Sequence, residues 1–412
     1  MTACTCERPH GQKWLPVDEA IARLLAQAPA PPPSEWVALD AASGRIVAEP
    51  QFARLDSPAW DNSAMDGYAL RSADLPAAGG WLPLAGRIAA GEAAAALTAG
   101  HAVRIFTGAP LPALADTVVA QEDVQLHAAG VQLPPVKPGQ HVRKRAEESS
   151  AGALLLSAGR RLRAQDLGLL ASQGIDQLPV YRPLRVALLS SGDELREPGQ
   201  PLAPGQIYNA NQQTLANLLQ GWGCQLSEMR VMPDSLSQTC EQLLAAAANA
   251  DVLISSGGVS VGEEDHLKAA VQQLGRLDLW QLAIQPGKPL AFGAVAGTPW
   301  IGLPGNPVAV WITALIIARP WLLKAQGRDE PASTGWLMPA AFDWPKAKPR
   351  RQFLRARLQT GATGQQVILH PQQGSAMLAA ASWADGLADI GANATLGHGD
   401  PVRYWPLSEL LY

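Results

Sequence analysis

The stretch SSGGVSVGEED, Ser255 to Asp265, sets Ser255, Ser256 and Ser260 among Gly257, Gly258 and Gly262, directly before Glu263, Glu264 and Asp265. Such glycines let a backbone turn tightly and approach a ligand. Hydroxyls, with the free N–H groups of a following helix, suit a phosphate or a polar ring. Acids beside an anion site point to a bridging cation, and Mg²⁺ fits a phosphate best. The plainer alternative is a glycine turn with an acid-rich helix start, since acids stabilise that end in any case.

Four further loops carry similar chemistry: SSGDEL (Ser190 to Leu195), MPDS (Met232 to Ser235), QPGKP (Gln285 to Pro289) and LPGNP (Leu303 to Pro307). Together the five offer Asp193, Glu194, Asp234, Asp265 and Lys288, with several Gly and Ser backbones. Carboxylates cluster only at a cost unless a cation joins them, and Mg²⁺ takes one or two carboxylates plus phosphate oxygens and water. Lys288 is a point charge for a phosphate or oxyanion. The implied chemistry is cleavage or transfer at a phosphate by positioning and a metal. No Ser-His-Asp or Cys-His arrangement suggests covalent catalysis. His266 beside Asp265 reads as structural or exposed, and no G-x-G-x-x-G follows the first strand of this region.

These loops need a scaffold. From Leu184 the chain alternates strand and helix: VALLSS, NANQQTLANLLQGWG with Asn209 as helix cap, CQLSEMRVM, SLSQTCEQLLAAAANA, DVLISS, then EDHLKAAVQQLG. Two strand–loop units and a long apolar helix, VAVWITALIIARPWLLKAQ, follow. The alternation predicts an open, largely parallel sheet covered by helices on both faces. In that architecture ligands bind beyond the carboxyl ends of the strands, where the five loops would meet.

Elsewhere, Val17 to Ala28 predicts an amphipathic helix with Ala20, Ile21, Leu24 and Leu25 on one face, stopped by APAPPPSE. LDSPAWDNSAMDGYAL packs acids among Trp60, Met65 and Tyr68, a mixture that a plain surface loop seldom carries; the alternative is an Asx-rich turn anchored by aromatics. Short β-branched runs between Gly and Pro then predict a small β domain, with Thr107 and Gly108 directly after VRIF. In HVRKRAEE, Arg143, Lys144 and Arg145 are read either as a phosphate contact or, preferably, as a solvated loop. Residues 149–180 are expected to return to the domain begun near Trp36. From about Ala332 the rhythm becomes that of a small β barrel or sandwich, with QFLRARLQTGATGQQVILHP as a hairpin.

With 412 residues, 47% hydrophobic and 17% charged, the chain is long enough for several globular domains. A net charge of −4 gives no attraction to nucleic acid, so an acidic substrate needs a local site. Four cysteines make no disulfide framework; Cys4, Cys6 and His10 read as an unstructured end in preference to a metal site. No apolar leader is visible, and the apolar run Val308 to Ala318 is too short to span a bilayer and is closed by Arg319 and Pro320. A cytoplasmic protein with no membrane contact is expected.

The motifs DNSAMDGYA (Asp61 to Ala69), FTGAPLP (Phe106 to Pro112), SSGDEL, SSGGVSVGEED, PGKPLAFG (Pro286 to Gly293) and LPGNPV occur in the order of the MoeA family, which includes the gephyrin E domain, and the chain resembles that family from about Leu15 onward. The resemblance implies an α/β multidomain protein: residues 1–55 with 146–180 an N-terminal α+β linker or dimerisation domain, 56–145 an inserted β domain, 181–328 the molybdopterin-binding open α/β sheet, and 329–412 a C-terminal β domain. It implies a molybdopterin molybdenumtransferase that converts adenylylated molybdopterin and molybdate, with Mg²⁺, to molybdenum cofactor and AMP. It also implies an elongated homodimer whose clefts lie between the α/β domain of one subunit and the inserted domain of the other. Contacts with other cofactor-biosynthesis proteins or molybdoenzymes follow.

By motif match Asp66, Thr107, Glu194, Asp234 and Asp265 take catalytic positions, with Glu194, Asp234 and Asp265 as metal ligands. Asp193, Ser255, Gly257, Gly258, Ser260, Gly262, Pro289, Pro304, Gly305, Asn306 and Pro307 take substrate positions, and Lys288, Arg355 and Ser382 oxyanion or molybdate positions. The chain departs from the pattern at Gln285, basic in many members, at Ala309, often Ser, at RKRAEES for R-R-x-G-E-D, and at ADG (Ala384 to Gly386) for A-N-G. The partner step, molybdopterin adenylyltransferase, needs only the α/β unit, and DNSAMDGYA and the C-terminal domain argue against it. A non-enzymatic scaffold would not need Asp66 and Asp265.

Overall fold

The computed structural model describes residues 14–93, 96–233, 235–258, 266–287, 289–329, 333–361 and 364–411, without the side chains of Leu279 and Pro289. Cys4, Cys6, His10, Asp234, Ser260, Gly262, Glu263, Glu264, Asp265 and Lys288 lie outside the described residues.

The central sheet has six strands in the order Gln225–Met232, Arg185–Ser191, Val252–Ser256, Thr298–Leu303, Pro289–Val295 and Gly275–Gln281. Five of the six run in one direction, as the expected largely parallel sheet requires, and Pro289–Val295 is reversed, pairing antiparallel with both neighbours. The missed strand is Gly275–Gln281, which follows the helix His266–Leu274 without a break. Its partner Pro289–Val295 is an antiparallel hairpin mate of Thr298–Leu303. The QPGKP loop therefore enters at the amino end of a reversed strand, which lies at the same sheet edge as the carboxyl ends of its neighbours.

One face of the sheet packs Val186, Leu188, Ile254 and Ile301 against Leu215, Leu219, Val310 and Trp321. The other packs Ala187, Leu189, Leu253 and Trp300 against Leu243, Ala246, Leu267 and Val271. Strands buried on both sides explain their unbroken apolar runs. Asn209 caps the helix Ala210–Gly221, its side chain accepting from Gln212 N–H as expected. The helix Val17–Leu25 is three residues shorter than its pattern, and Val17, Ala20 and Leu24 bury into the first of these cores.

The long apolar helix runs through Arg319 as expected. Pro307–Thr313, a π-helical turn Ala314–Ala318 and Arg319–Ala325 run on without interruption. Pro320 lacks an N–H and its ring crowds the preceding turn; the wider π turn absorbs both. The resulting span, Pro307–Ala325, is long and apolar enough to cross a bilayer, but 78% of its apolar window is buried inside the protein. It is a core helix.

Before the central sheet, Ser34–Ala38 pairs with Gln177–Tyr181, which also pairs with Ile46–Val47, around a core of Val47, Leu162, Leu170 and Leu178. Between these strands lies a separate six-stranded sheet, ordered Thr117–Ala120, Gly67–Leu70, Ala102–Ile105, Gly80–Ile88, Gly130–Leu133 and Gln125–His127, with an apolar cluster on each side. After the central sheet, the predicted hairpin forms as Arg351–Gly361 with Gly364–Leu369. Arg351–Gly361 also pairs with Gly386–Ile390, which pairs with Pro401–Pro406, which pairs with Trp336–Pro339. Ala341 N–H donates to Val367 C=O at 2.8 Å, curling this sheet toward closure.

Asp251 joins two of these units. Its carboxylate accepts from Arg182 Nη1 and Nη2, from Arg185 Nη2 at 3.1 Å and from Arg185 N at 2.8 Å. Burial works to raise its pKa, but bonds from Arg182 and then Arg185 outweigh burial and hold the carboxyl well below its usual range. A depressed carboxyl adds stability above its unfolded pKa and loses it as pH falls toward the folded value. Asp251→Asn is therefore expected to cost about 2 kcal/mol at pH 7 and progressively less below about pH 4, measured by urea denaturation at both ends of that range.

Candidate active site

Asp66 ends a turn that leads into the strand Gly67–Leu70. Its Oδ1 accepts from Thr107 N and from Thr107 Oγ1, each at 2.8 Å. The two residues, 41 apart in sequence, meet because Gly67–Leu70 runs antiparallel to Ala102–Ile105. Position 67 must be glycine: a Cβ there would sit 1.9 Å from Val119 O of the other neighbouring strand. Thr107 N–H, then its hydroxyl, hold the Asp66 carboxyl below the usual carboxylate range, and the charge of Arg104 adds to this.

The loop bearing Asp66 is tied down by the basic run. Lys144 Nζ donates to Asp61 Oδ2 at 2.9 Å and Arg145 N to Asp61 Oδ1 at 2.8 Å. Arg145 Nε and Ala151 N donate to Asp56. Val142–Arg143 pairs with Asn62–Ser63, and Gly108 N–H donates to Ser63 C=O. Lys144 and Arg145 thus fasten DNSAMDGYA, a role that neither the phosphate contact nor the solvated loop foresaw. Inside this clasp Ala146 adopts a φ of 61°, a left-handed conformation that strains a residue with a Cβ. Ala146→Gly should raise unfolding stability by about 1 kcal/mol, read from the urea midpoint.

At the edge of the central sheet, Ser190 and Ser255 are buried, and they serve the scaffold: Ser190 Oγ accepts from Asn209 Nδ2 at 3.0 Å and Ser255 Oγ from Trp300 Nε1 at 3.1 Å. Gly257, at φ 81°, approaches so closely that a Cβ would lie 2.7 Å from Ser191 O, and it brings the first and third loops together. Gly257 N–H also reaches Leu303 C=O at 3.2 Å, which adds the LPGNP turn. Gly258 follows at φ 66°. Gly287 of the QPGKP loop faces Thr313, Ala309 and Pro304. The MPDS loop joins through Met232, which pairs with Ser191, so described residues of all five expected loops meet at this edge. Asp193 and Glu194 are exposed on the first of them.

Arg355 reaches this edge from the C-terminal sheet. It is fully buried, and burial pushes its pKa down to about 10. Nη2 donates to Gly374 O at 3.1 Å and to Gln372 O at 3.4 Å, while Nε and Nη1 have no partner among the described residues. A buried cation holding unused donors is costly unless an anion arrives. The next residue, Ser375, accepts from Val308 N–H at 2.9 Å, so the turn carrying Arg355's carbonyl partners seats on Pro307 and the start of the long helix. Gly305 C=O on the same turn accepts from Asn211 Nδ2 at 2.7 Å, and Pro304 is buried while Gly305 and Asn306 are exposed. Ser382 is exposed on the helix Leu378–Trp383, and Ser375 meets the LPGNPV turn through its backbone carbonyl. The Gly374–Ser375 pair directly after the hairpin was the signal available for the turn that carries it.

Among the described residues no group of three or more His, Cys, Asp or Glu could hold a metal ion. Glu194 is the described carboxylate of the expected set; Asp234 and Asp265 fall outside. By residue type, carboxylates are oxygen donors of the kind that Mg²⁺ takes.

A family model described as the MoeA N-terminal region (domain I and II) matches residues 15–174, one described as a probable molybdopterin binding domain matches residues 187–324, and one described as the MoeA C-terminal region (domain IV) matches residues 338–407. The molybdopterin molybdenumtransferase of Haemophilus influenzae is 40% identical over 333 residues, 80% of each chain. That of Synechococcus elongatus is 37% identical over 374 residues, 87% of this chain and 91% of its own. The crystal structure of the molybdopterin biosynthesis MoeA protein from Pyrococcus horikoshii OT3 has a TM-score of 0.83 at 26% identity, over 96% of this chain and 100% of that one.

Proposed function

The chain belongs to the molybdopterin molybdenumtransferase (MoeA) family, a transferase of molybdenum-cofactor biosynthesis, and from that premise we propose that it inserts molybdate into adenylylated molybdopterin with Mg²⁺ and releases AMP. The observation that carries the detail is the buried Arg355 with two unused donor groups beside the LPGNPV turn. Those donors match a tetrahedral oxyanion better than any neutral group, because only an anion offsets the desolvated charge.

In this reading Glu194, Asp234 and Asp265 hold Mg²⁺ at the substrate phosphates. The bound ion would neutralise charge that develops as the phosphoanhydride is cut. Asp66, held ionised by Thr107, is a poor proton acceptor and a good anionic anchor, since an effective base needs a pKa near the working pH. Thr107 fixes its aim. Arg355 and Lys288 receive molybdate, with Ser375 closing the turn beneath it. The glycines at 257, 258 and 262 admit the pterin and phosphates to the backbone.

The assembly proposed with this function is a homodimer in the cytoplasm. Its clefts set the central-sheet edge of one copy against Asp66 and Thr107 of the other. The four-domain division given above, with residues 56–145 inserted between the two parts of the N-terminal domain, is proposed with it, as is delivery to molybdoenzymes or to other proteins of the pathway.

The test is an anaerobic incubation with adenylylated molybdopterin and molybdate, following AMP with and without added Mg²⁺. Stoichiometric AMP and active cofactor only when molybdate and Mg²⁺ are both present support the reading. Formation of adenylylated molybdopterin from ATP and molybdopterin, with no molybdate-dependent AMP release, overturns it.

A further inference from the structure

We propose that Arg104 is the positioning residue for the Asp66 carboxylate, fastening the backbone carbonyls of Asp66 and Gly67 while its guanidinium rests against two aromatic rings. The inference rests on the reading of Asp66 as a site residue.

Arg104 lies opposite Tyr68 across the antiparallel pair. Its Cζ is 5.1 Å from the Tyr68 ring centroid and 4.9 Å from that of Phe106. Both distances are within cation–π range, so the flat group is fixed in orientation as well as place. From there Nη1 donates to Gly67 O at 3.3 Å, on the residue that follows Asp66. Nη2 donates to Gln121 Oε1, and Gln121 N–H in turn donates to Asp66 C=O at 2.9 Å. Gln121 is held on its far side through Nε2 to Glu122 Oε1 at 3.1 Å. One guanidinium therefore ties the two successive backbone carbonyls of Asp66 and Gly67, the second directly and the first through Gln121. Thr107, which holds the Asp66 carboxylate, is three residues further along the same segment as Arg104 and directly follows Phe106. Carboxylate, backbone and threonine are thus referred to a single rigid fork. A lysine keeps the charge but cannot bond both points at fixed angles. Arg104 makes no step of the reaction itself and acts only through Asp66.

The test is a double-mutant cycle on the full chain, with kcat and both KM values measured for Arg104→Gln, Arg104→Lys, Asp66→Asn and the two double variants. Arg104→Gln is expected to lower kcat on the order of tenfold to a hundredfold. Arg104→Lys should fall less, and both KM values should stay within about twofold of the parent in each variant. In the Asp66→Asn background neither change at 104 should lower kcat further, because the residue it positions is already disabled. Unchanged kcat in both Arg104 variants, additive losses in the cycle, or a rise confined to KM each overturn the proposal. If Arg104→Gln does not fold, the Arg104→Lys arm decides in the same way. Full activity of Asp66→Asn alone would instead sink the site reading on which this inference rests.

Discussion

Asp66→Asn is expected to lower molybdate-dependent AMP release at least a hundredfold while leaving the melting transition unchanged. The substitution is nearly isosteric, and an amide oxygen can still accept from Thr107 N and Oγ1, so the local hydrogen bonds survive. Only the charge is lost. The side chain lies at the surface of the inserted sheet, so folding does not depend on that charge. Thr107→Val removes one of the two donors and keeps the backbone N–H; its loss should be smaller, about tenfold. Because Thr107 holds the carboxyl below its usual range, Asp66 stays ionised as pH falls to about 4, and an acid limb of the activity profile above about pH 5 must come from another group. Loss of fold together with activity in Asp66→Asn would contradict this account.

Arg355→Met should split binding from stability in the opposite direction to most buried substitutions. The arginine is fully buried with Nε and Nη1 unpartnered, and desolvation alone lowers its pKa to about 10. Replacing it by an apolar side chain of similar length removes that desolvation cost and gives up two bonds to backbone carbonyls. The expected result is a melting temperature equal to or above that of the parent without molybdate. With molybdate the parent gains stability in proportion to occupancy and the variant does not. The KM for molybdate should rise about tenfold to a hundredfold, the worth of a charged hydrogen bond. A melting temperature that falls without molybdate would mean that Arg355 serves the fold.

Much of this arrangement was legible because its signals are local. Glycine turns between apolar runs marked four adjoining loops before any coordinates, and Asn209 announced a helix start by residue type alone. What stayed hidden depends on partners remote in sequence. The order of strands was not written in any one of them, so the reversal of Pro289–Val295 and the strand Gly275–Gln281 emerged only from pairing. Lys144 and Arg145 looked like free charge until Asp61 and Asp56, more than eighty residues away, were found against them. The π turn that carries the long helix past Pro320 had no residue signal of its own. The backbone carbonyl of Ser375 accepts from Val308, a contact that no residue type announces.

The helix Val17–Leu25 buries Val17, Ala20 and Leu24 in a core completed by Leu315, Ile317 and Trp321. On the ribosome this helix emerges about three hundred residues before the segment that completes its core. Its apolar face must stay uncovered while the intervening chain is made, on the order of tens of seconds at ordinary elongation rates. The inserted sheet carries its own two cores and can fold during that wait. Asp66 and Thr107 would then be paired before their own chain has an edge to offer. A nascent chain released before Ala325 should therefore hold a finished anchor for a partner's edge while its own central sheet is incomplete, with an exposed helix for chaperones to cover.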